Sequence, residues 1–415
     1  MAKQKRLYSN EIVIFLVAFF SHAVINFVGE ISPSFLFILF TLPAWISQID
    51  FKKEKNIQKI VQIFGLIICI QIIWAIIHSS TDMITQIKGI MITVYGLFFL
   101  LFYYQASLQN RKALIAYFFA ELMASFFFSN MISMRDGERS SDYSIWKFQV
   151  YPRIVVFTIL ISLLRKSRPY ERFSPIMFIS VGALGILTGA RSSGLIPFLA
   201  GVVTLFVTRK GVNGISVARV RKTFVAASVV FYLAFSLIYV PMVMNSSIEE
   251  GNSKQLLKAT NPYNPINLLI IGRSDAIVPF VAFFDNPFLG WGYKAKDPGY
   301  KYHLMAEALS DAGKTDDRYD EIPDHSLLGY FCCSYGIVML LVWLCLIKII
   351  FSIYEKILTY NGKYTLLASY LLVSLVWTVL FSPMPSLKLS LGSTIAFLIY
   401  IEIASKNDVI QRSKA

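Results

Sequence analysis

Three short stretches place ionisable side chains against apolar runs, where such groups are costly and tend to mark function. The first is Leu187-Thr188-Gly189-Ala190-Arg191-Ser192-Ser193-Gly194. The second is Gly272-Arg273-Ser274-Asp275, followed by Asn286-Pro287-Phe288-Leu289-Gly290-Trp291-Gly292-Tyr293. The third is Asp324-His325-Ser326. An arginine stays charged at any physiological pH and grips phosphate oxygens through a two-pronged fork, so Arg191 and Arg273 suit an anionic diphosphate. A histidine titrates near neutrality and can take a proton from a hydroxyl, so His325 is a candidate base, with Asp324 placed to orient or polarise it. Each assignment has a plain alternative. The arginines could snorkel to lipid headgroups, Asp324 could cap a helix, and His325 could be merely interfacial. His303 reads as an exposed loop residue, and His22 and His78 as hydrogen-bonding groups between helices.

The elements that must position these residues follow from composition. The chain of 415 residues is 56% hydrophobic and only 15% charged, against about a quarter charged in soluble globules, which excludes the soluble enzyme classes. About twelve segments approach the length and apolarity of a membrane-spanning helix, near 11–28, 31–48, 60–78, 90–106, 114–134, 148–164, 174–190, 194–208, 223–244, 325–351, 364–381 and 389–404. The first is read as a retained span, because no small-residue cleavage site follows it. The fold class expected is an all-α polytopic membrane protein: helices in 1–244, a large outer loop in 245–324, and further helices in 325–415.

Charge sets the orientation. The segments on the side of the termini hold 23 of the 39 Lys and Arg, which makes that side cytoplasmic. The net charge of +14 is thereby explained at the lipid surface, with no nucleic acid implied. The loop 245–324 has the opposite balance, 12 acids to 8 bases, and six prolines that interrupt it. Its apolar pieces, Ile266–Ile271 and Ala276–Phe284, are too short to span and read as short helices on the outer face. Cys69, Cys332, Cys333 and Cys345 lie in apolar runs without metal-ligand spacing, and no disulfide framework is implied.

Taken in order, the three stretches resemble the O-antigen polymerase and O-antigen ligase superfamily of membrane glycosyltransferases. Members show an arginine in a T-x-x-R hinge, matched by Thr188 to Arg191, and an arginine ahead of a P-x-x-G-x-G turn, matched by Arg273 and by Pro287, Gly290 and Gly292. They also show a His-(Asn/Ser/Gln) pair opening the next helix, matched by His325-Ser326. In the ligase pattern, nine residues then precede Gly-x-x-(Gly/Thr/Tyr). Gly336 fits that spacing, while Met339 departs from its last position. The resemblance covers about 174–351, and the N-terminal half matches only in topology.

The resemblance implies a GT-C-like helical enzyme of the bacterial inner membrane, with its active site at the periplasmic face. The donor would be an oligosaccharide on undecaprenyl diphosphate, and a chain-length regulator is a possible partner. Arg191 and Arg273 would bind the diphosphate, joined by Arg153, while His325 with Asp324 would serve the acceptor hydroxyl. The acidic cluster Asp316-Asp317-Arg318-Tyr319-Asp320-Glu321 reads as a solvated face, so no metal and no other cofactor is expected. Polymerase is favoured over ligase. A lipid-glycan flippase is a third reading, disfavoured by the absence of two related halves.

The orientation has a direct test. In a cysteine-free background, a Cys placed near Lys210 should resist an impermeant maleimide on intact cells, while one near Lys314 should react. The reverse pattern would overturn the topology.

Overall fold

The computed structural model describes residues 11–26, 30–51, 54–78, 82–110, 112–128, 145–164, 173–208, 261–310, 321–323, 325–360, 364–382 and 390–414, with isolated positions between 229 and 241. Their architecture is that of an all-α membrane protein, with one two-residue antiparallel ladder that pairs Ile25 with Ile31 and Asn26 with Glu30. The helices are α1 Glu11–Phe20, α2 Pro33–Ile46, α3 Lys55–Ile77, α4 Met83–Gln109, α5 Ala113–Phe127, α6 Tyr151–Leu164, α7 Phe173–Leu187 and α8 Arg191–Thr208. After them come α9 Pro265–Gly272, α10 Ser274–Asp285, α11 Lys301–Ser310, α12 Leu327–Tyr360, α13 Thr365–Phe381 and α14 Gly392–Lys414.

Each predicted span except 223–244, which lies almost wholly outside the described residues, coincides with a helix. Among the described residues, four stretches are long and apolar enough to cross a membrane: Lys55–Ile77, Met83–Leu108, Trp146–Leu164 and Leu327–Tyr360. The first two helices are shorter than the sequence suggests. Helix α1 stops at Phe20, and the chain turns through the small ladder before Ser32, whose hydroxyl accepts from the Phe35 amide and caps α2. Apolar side chains such as Phe40 and Ile76 stay exposed on the outside of the bundle, as a lipid-facing surface requires.

Helix α12 is the hub, packing against α3, α10, α13 and α14. Elsewhere small residues let backbones meet, as is common where no hydrophobic force drives helices together. Helices α7 and α8 form a tight hairpin in which a Cβ on Gly182 would fall 2.5 Å from the Phe198 amide nitrogen. A Cβ on Gly194 would fall 2.7 Å from the Gly182 carbonyl oxygen. Helices α4 and α14 cross similarly at Gly96 and Gly392. At the far end of the bundle Asn56, Lys356 and Glu402 tie α3, α12 and α14 together.

Sequence reading treats 325–351 as one uninterrupted apolar span. The structure breaks it. Gly336 sits at φ 71°, ψ −164°, a region open in practice only to glycine, and divides α12 into a short first half and a long second half. The break frees backbone groups, and the turn after α10 takes them up. The amides of Trp291 and Gly292 donate to the carbonyls of Cys333 (2.8 Å) and Ser334 (3.0 Å), and the Ile337 amide donates to the Pro287 carbonyl (2.7 Å). The P-x-x-G-x-G pattern now has a physical reason. Gly290 and Gly292 both have positive φ, and a Cβ on Gly290 would fall 2.6 Å from the Ser334 carbonyl oxygen.

Gly336→Ala would put a Cβ 2.3 Å from the Phe288 carbonyl oxygen in a backbone conformation alanine avoids. It should lower stability by about 1–3 kcal/mol from the backbone conformation alone, with the clash adding to this. Gly65→Ala, in α3 with nothing within 4 Å of the new methyl group, should leave the apparent Tm unchanged or raise it. Thermal unfolding of both variants in the same detergent checks this pair of outcomes.

Candidate functional site

The hinge between α7 and α8 is built by the end of one helix and the start of the next. Gly189 takes φ 89°, the left-handed turn that closes helices, and Arg191 opens α8 two residues later. The first turn of an 18-residue helix presents backbone N–H groups and the positive end of its dipole, so cation and helix terminus point to the same use, holding an anion. The hinge is pinned from the side. Trp146 donates its indole N–H to the Thr188 hydroxyl (2.8 Å), and Tyr151 packs against Gly185 and donates to the Val181 carbonyl.

Arg273 comes to this hinge from the loop. It stands between α9 and α10, where its Nη2 donates to the Ser192 hydroxyl (3.0 Å) and its Nη1 to the Phe381 carbonyl (3.3 Å). Its guanidinium carbon lies 5.5 Å from the centre of the Trp377 ring, within cation–π range. Loop, hinge and α13 thus meet at one side chain. Burial draws the Arg273 pKa down from its ordinary value while Asp275 opposes that shift, and the group stays charged because an arginine starts so high. These bonds use two of a guanidinium's five N–H groups and join Arg273, through Ser192, to the helix start that Arg191 opens.

The other expected residues fall as follows. His325 stands half-buried just ahead of α12, with Nδ1 shielded from solvent. Ser326 beside it is buried, and its hydroxyl accepts from the Gly329 amide (3.0 Å), capping the short first half of α12. Asp324 lies outside the described residues, as do Asp316, Asp317 and Asp320. Arg153 engages α5, donating Nη2 to the Ser125 carbonyl (2.6 Å) and stacking 4.3 Å from the Phe126 ring centre.

One histidine reading is corrected: His303 is part-buried and bonded to Asp297, so it is no exposed loop residue. The His78 ring reaches the Leu289 carbonyl in the loop turn (3.4 Å), and its own carbonyl accepts from Gln86 of α4 (2.7 Å). His22, two residues beyond the end of α1, meets Glu121 of α5 at 3.0 Å. Trp146 and Trp291 spend their indole N–H groups on the Thr188 hydroxyl and the Ala282 carbonyl.

The described part of the loop before α12 is well knit. Lys301 bonds Asp285 (2.6 Å), Lys294 bonds Glu321 (2.7 Å), and the Ile322 amide reaches the Ala295 carbonyl (3.0 Å). Lys301 and then Tyr302 hold the Asp285 carboxyl below the ordinary carboxylate range. A depressed carboxylate contributes stability above its unfolded pKa and loses it as pH falls, so the loop should loosen in acid. Burial and then Asp285 push the Tyr302 hydroxyl up.

Sequence reasoning missed Trp377 and Phe381, about a hundred residues from Arg273, and Glu121, an acid within the apolar helix α5. A tryptophan one turn from the end of an apolar span was the available signal for the first pair, and a lone acid within an apolar run for the last. No protein-family model matches the chain, and no curated protein matches it in sequence.

If Arg273 and Ser192 are coupled as seen, a double-mutant cycle with Arg273→Ala and Ser192→Ala should show an interaction of about 0.5–3 kcal/mol in unfolding measurements. The same cycle with Arg153→Ala in place of Arg273→Ala should be additive within about 0.5 kcal/mol.

Proposed function

We propose that this chain is an inverting, metal-independent glycosyltransferase: a polymerase of O-antigen or capsular polysaccharide. It transfers a glycan from undecaprenyl diphosphate onto another lipid-linked repeat at the periplasmic face of the bacterial inner membrane. In this reading about twelve spans cross the membrane, both termini are cytoplasmic, and 245–324 is the periplasmic loop. The observation that carries it is Arg273 bonded to Ser192, the residue next to Arg191, which sets two permanent cations from distant segments beside one helix N-terminus. Transfer breaks the bond between sugar and phosphate, and negative charge grows on the departing lipid diphosphate. Fixed cations in a water-poor site are the natural stabilisers of that charge. The ordered resemblance of hinge, loop turn and His325-Ser326 to the polymerase and ligase superfamily supports the same chemistry.

Ligase is the near alternative, since Gly336 has the ligase spacing and a real structural role. Met339, fully buried in α12, departs from that pattern and favours polymerase. The flippase reading gains one observation, the pair of His22, just beyond α1, with Glu121 of α5, because paired ionisable groups inside a bilayer also serve proton relays.

Arg191→Ala and Arg273→Ala should each abolish long glycan chains at unchanged protein level, and Arg→Lys should restore them only in part. In a deletion strain the polymerase reading expects lipid A core carrying a single repeat, visible by gel electrophoresis of the glycolipid. Bare core with long chains on the carrier would establish ligase instead. Normal chain length in both alanine variants would sink the arginine roles.

A further inference from the structure

Helix α1 is short for a layer of lipid. Its ten residues span about 15 Å, half of the roughly 30 Å of a bilayer's hydrocarbon. Glu11 at its start meets Lys112 at the start of α5 (3.7 Å), so the two helices set out side by side. In the proposed topology that start is cytoplasmic, and His22, just beyond the end of α1, lies deep in the apolar layer. There its Nε2 meets the Glu121 carboxylate at 3.0 Å. An ionisable pair at such depth is costly and marks function.

The surroundings point to a proton as what the pair handles. The hydroxyls of Tyr117 on α5, Tyr103 on α4 and Tyr370 on α13 interact electrostatically with the same carboxylate. Tyr117 bonds Ser393 in the first turn of α14 (3.2 Å), and the buried Tyr103 hydroxyl has no hydrogen-bond partner among the described residues. Phenols are neutral at physiological pH, so charge at this place rests with His22 and Glu121. Arg153 of α6 reaches α5 one turn beyond Glu121 and is held there by the Ser125 carbonyl and the Phe126 ring. Helix α2, which also packs on α1, carries no ionisable side chain, and the Glu11–Lys112 pair lies at the opposite end of α1. Among the described residues no group of three His, Cys, Asp or Glu side chains is placed to hold a metal ion.

The pair is complete only while the imidazole holds its proton and the carboxylate lacks one. Losing the first proton or gaining a second leaves one charge without its partner in an apolar setting, which is strongly unfavourable. Hydrophobic force does not drive helices together in a bilayer, so α1 is tied to α5 by packing and by this bond. The packing includes the ring contacts of Phe15 with Phe119 and of Phe19 with Phe127. The two side chains keep 20% and 24% of their surface exposed, which gives a proton a way in and out. We propose that His22 and Glu121 form a proton-operated latch, which seats the end of α1 on α5 and releases it when either group changes its protonation. The latch needs no glycan transfer and stands apart from the proposed activity.

The test uses full-length protein in lipid nanodiscs, with the exposed Cys69 and Cys345 replaced by serine and the buried Cys332 and Cys333 left in place. Spin labels on Val24→Cys and Ile76→Cys, two exposed positions, report the distance from the end of α1 to the end of α3 by pulsed electron resonance. One narrow distribution is expected near neutral pH, with a second population growing as the buffer is made acidic or alkaline. Glu121→Gln and His22→Gln should each abolish that growth, because a lone ionisable group in an apolar layer stays neutral. A wild-type distribution that ignores pH overturns the latch, as does a pH response that persists unchanged in either variant. Should a variant fail to fold, ring-nitrogen NMR of the wild-type protein decides, with His22 assigned by replacing the other three histidines in turn. The His22 signals must change over the pH range in which the second population grows, and growth without that change overturns the latch.

Discussion

Backbone that leaves the helix inside an apolar environment must find hydrogen-bond partners within the protein, since no water is there to supply them. The break at Gly336 creates that need, and the turn Pro287–Gly292 meets it with three backbone bonds to Cys333, Ser334 and Ile337. The bonds work in both directions, because they also fix a loop that would otherwise lie loosely over the bundle. From the other side, Trp74 and His78 at the end of α3 donate to the Leu289 carbonyl of the same turn. Helix α10 ends where this turn begins and begins where Arg273 stands. The position of the cation is therefore set, through one helix, by the repair of a broken one.

The rest of the site follows from how a membrane protein accommodates charge near its boundary. Arg273 is half-buried and held by a hydroxyl, a carbonyl and an indole face, so it is ordered without being neutralised by a full ion pair among the described residues. Arg191 gains its place from the close glycine packing of α7 and α8, which leaves little freedom at the hinge tip. Hinge and loop are thereby joined at the start of α8, through the bond from Arg273 to Ser192.

Much of this was legible in the sequence, and the boundary of legibility is physical. Apolar length is a local property, so the helices were found, with α1 overestimated because apolar residues such as Val24 and Ile25 continue past the turn that ends it. Arg191, Arg273 and the glycines of the loop turn could be singled out because residue type and order are legible in a sequence. Their partners could not. Cys333 to Ile337 offer only backbone to the turn, which leaves no mark on residue identity. Trp377 and Phe381 meet Arg273 across about a hundred residues with no periodic pattern to announce it. His303 was passed over as a lone histidine in a polar loop, although Asp297 six residues earlier, followed by Pro298-Gly299, was a visible sign of a capped turn that could hold it.

The central claim is that Arg191 and Arg273 together bind a lipid diphosphate. The direct measurement is the affinity of purified protein for undecaprenyl diphosphate and for undecaprenyl monophosphate, by native mass spectrometry or fluorescence titration in nanodiscs. The account predicts tighter binding of the diphosphate, and a loss of about 10- to 100-fold for either Arg191→Ala or Arg273→Ala, the scale of one charged hydrogen bond. Equal affinity for the two lipids, or an Arg273→Ala variant that binds the diphosphate as the wild type does, would contradict it.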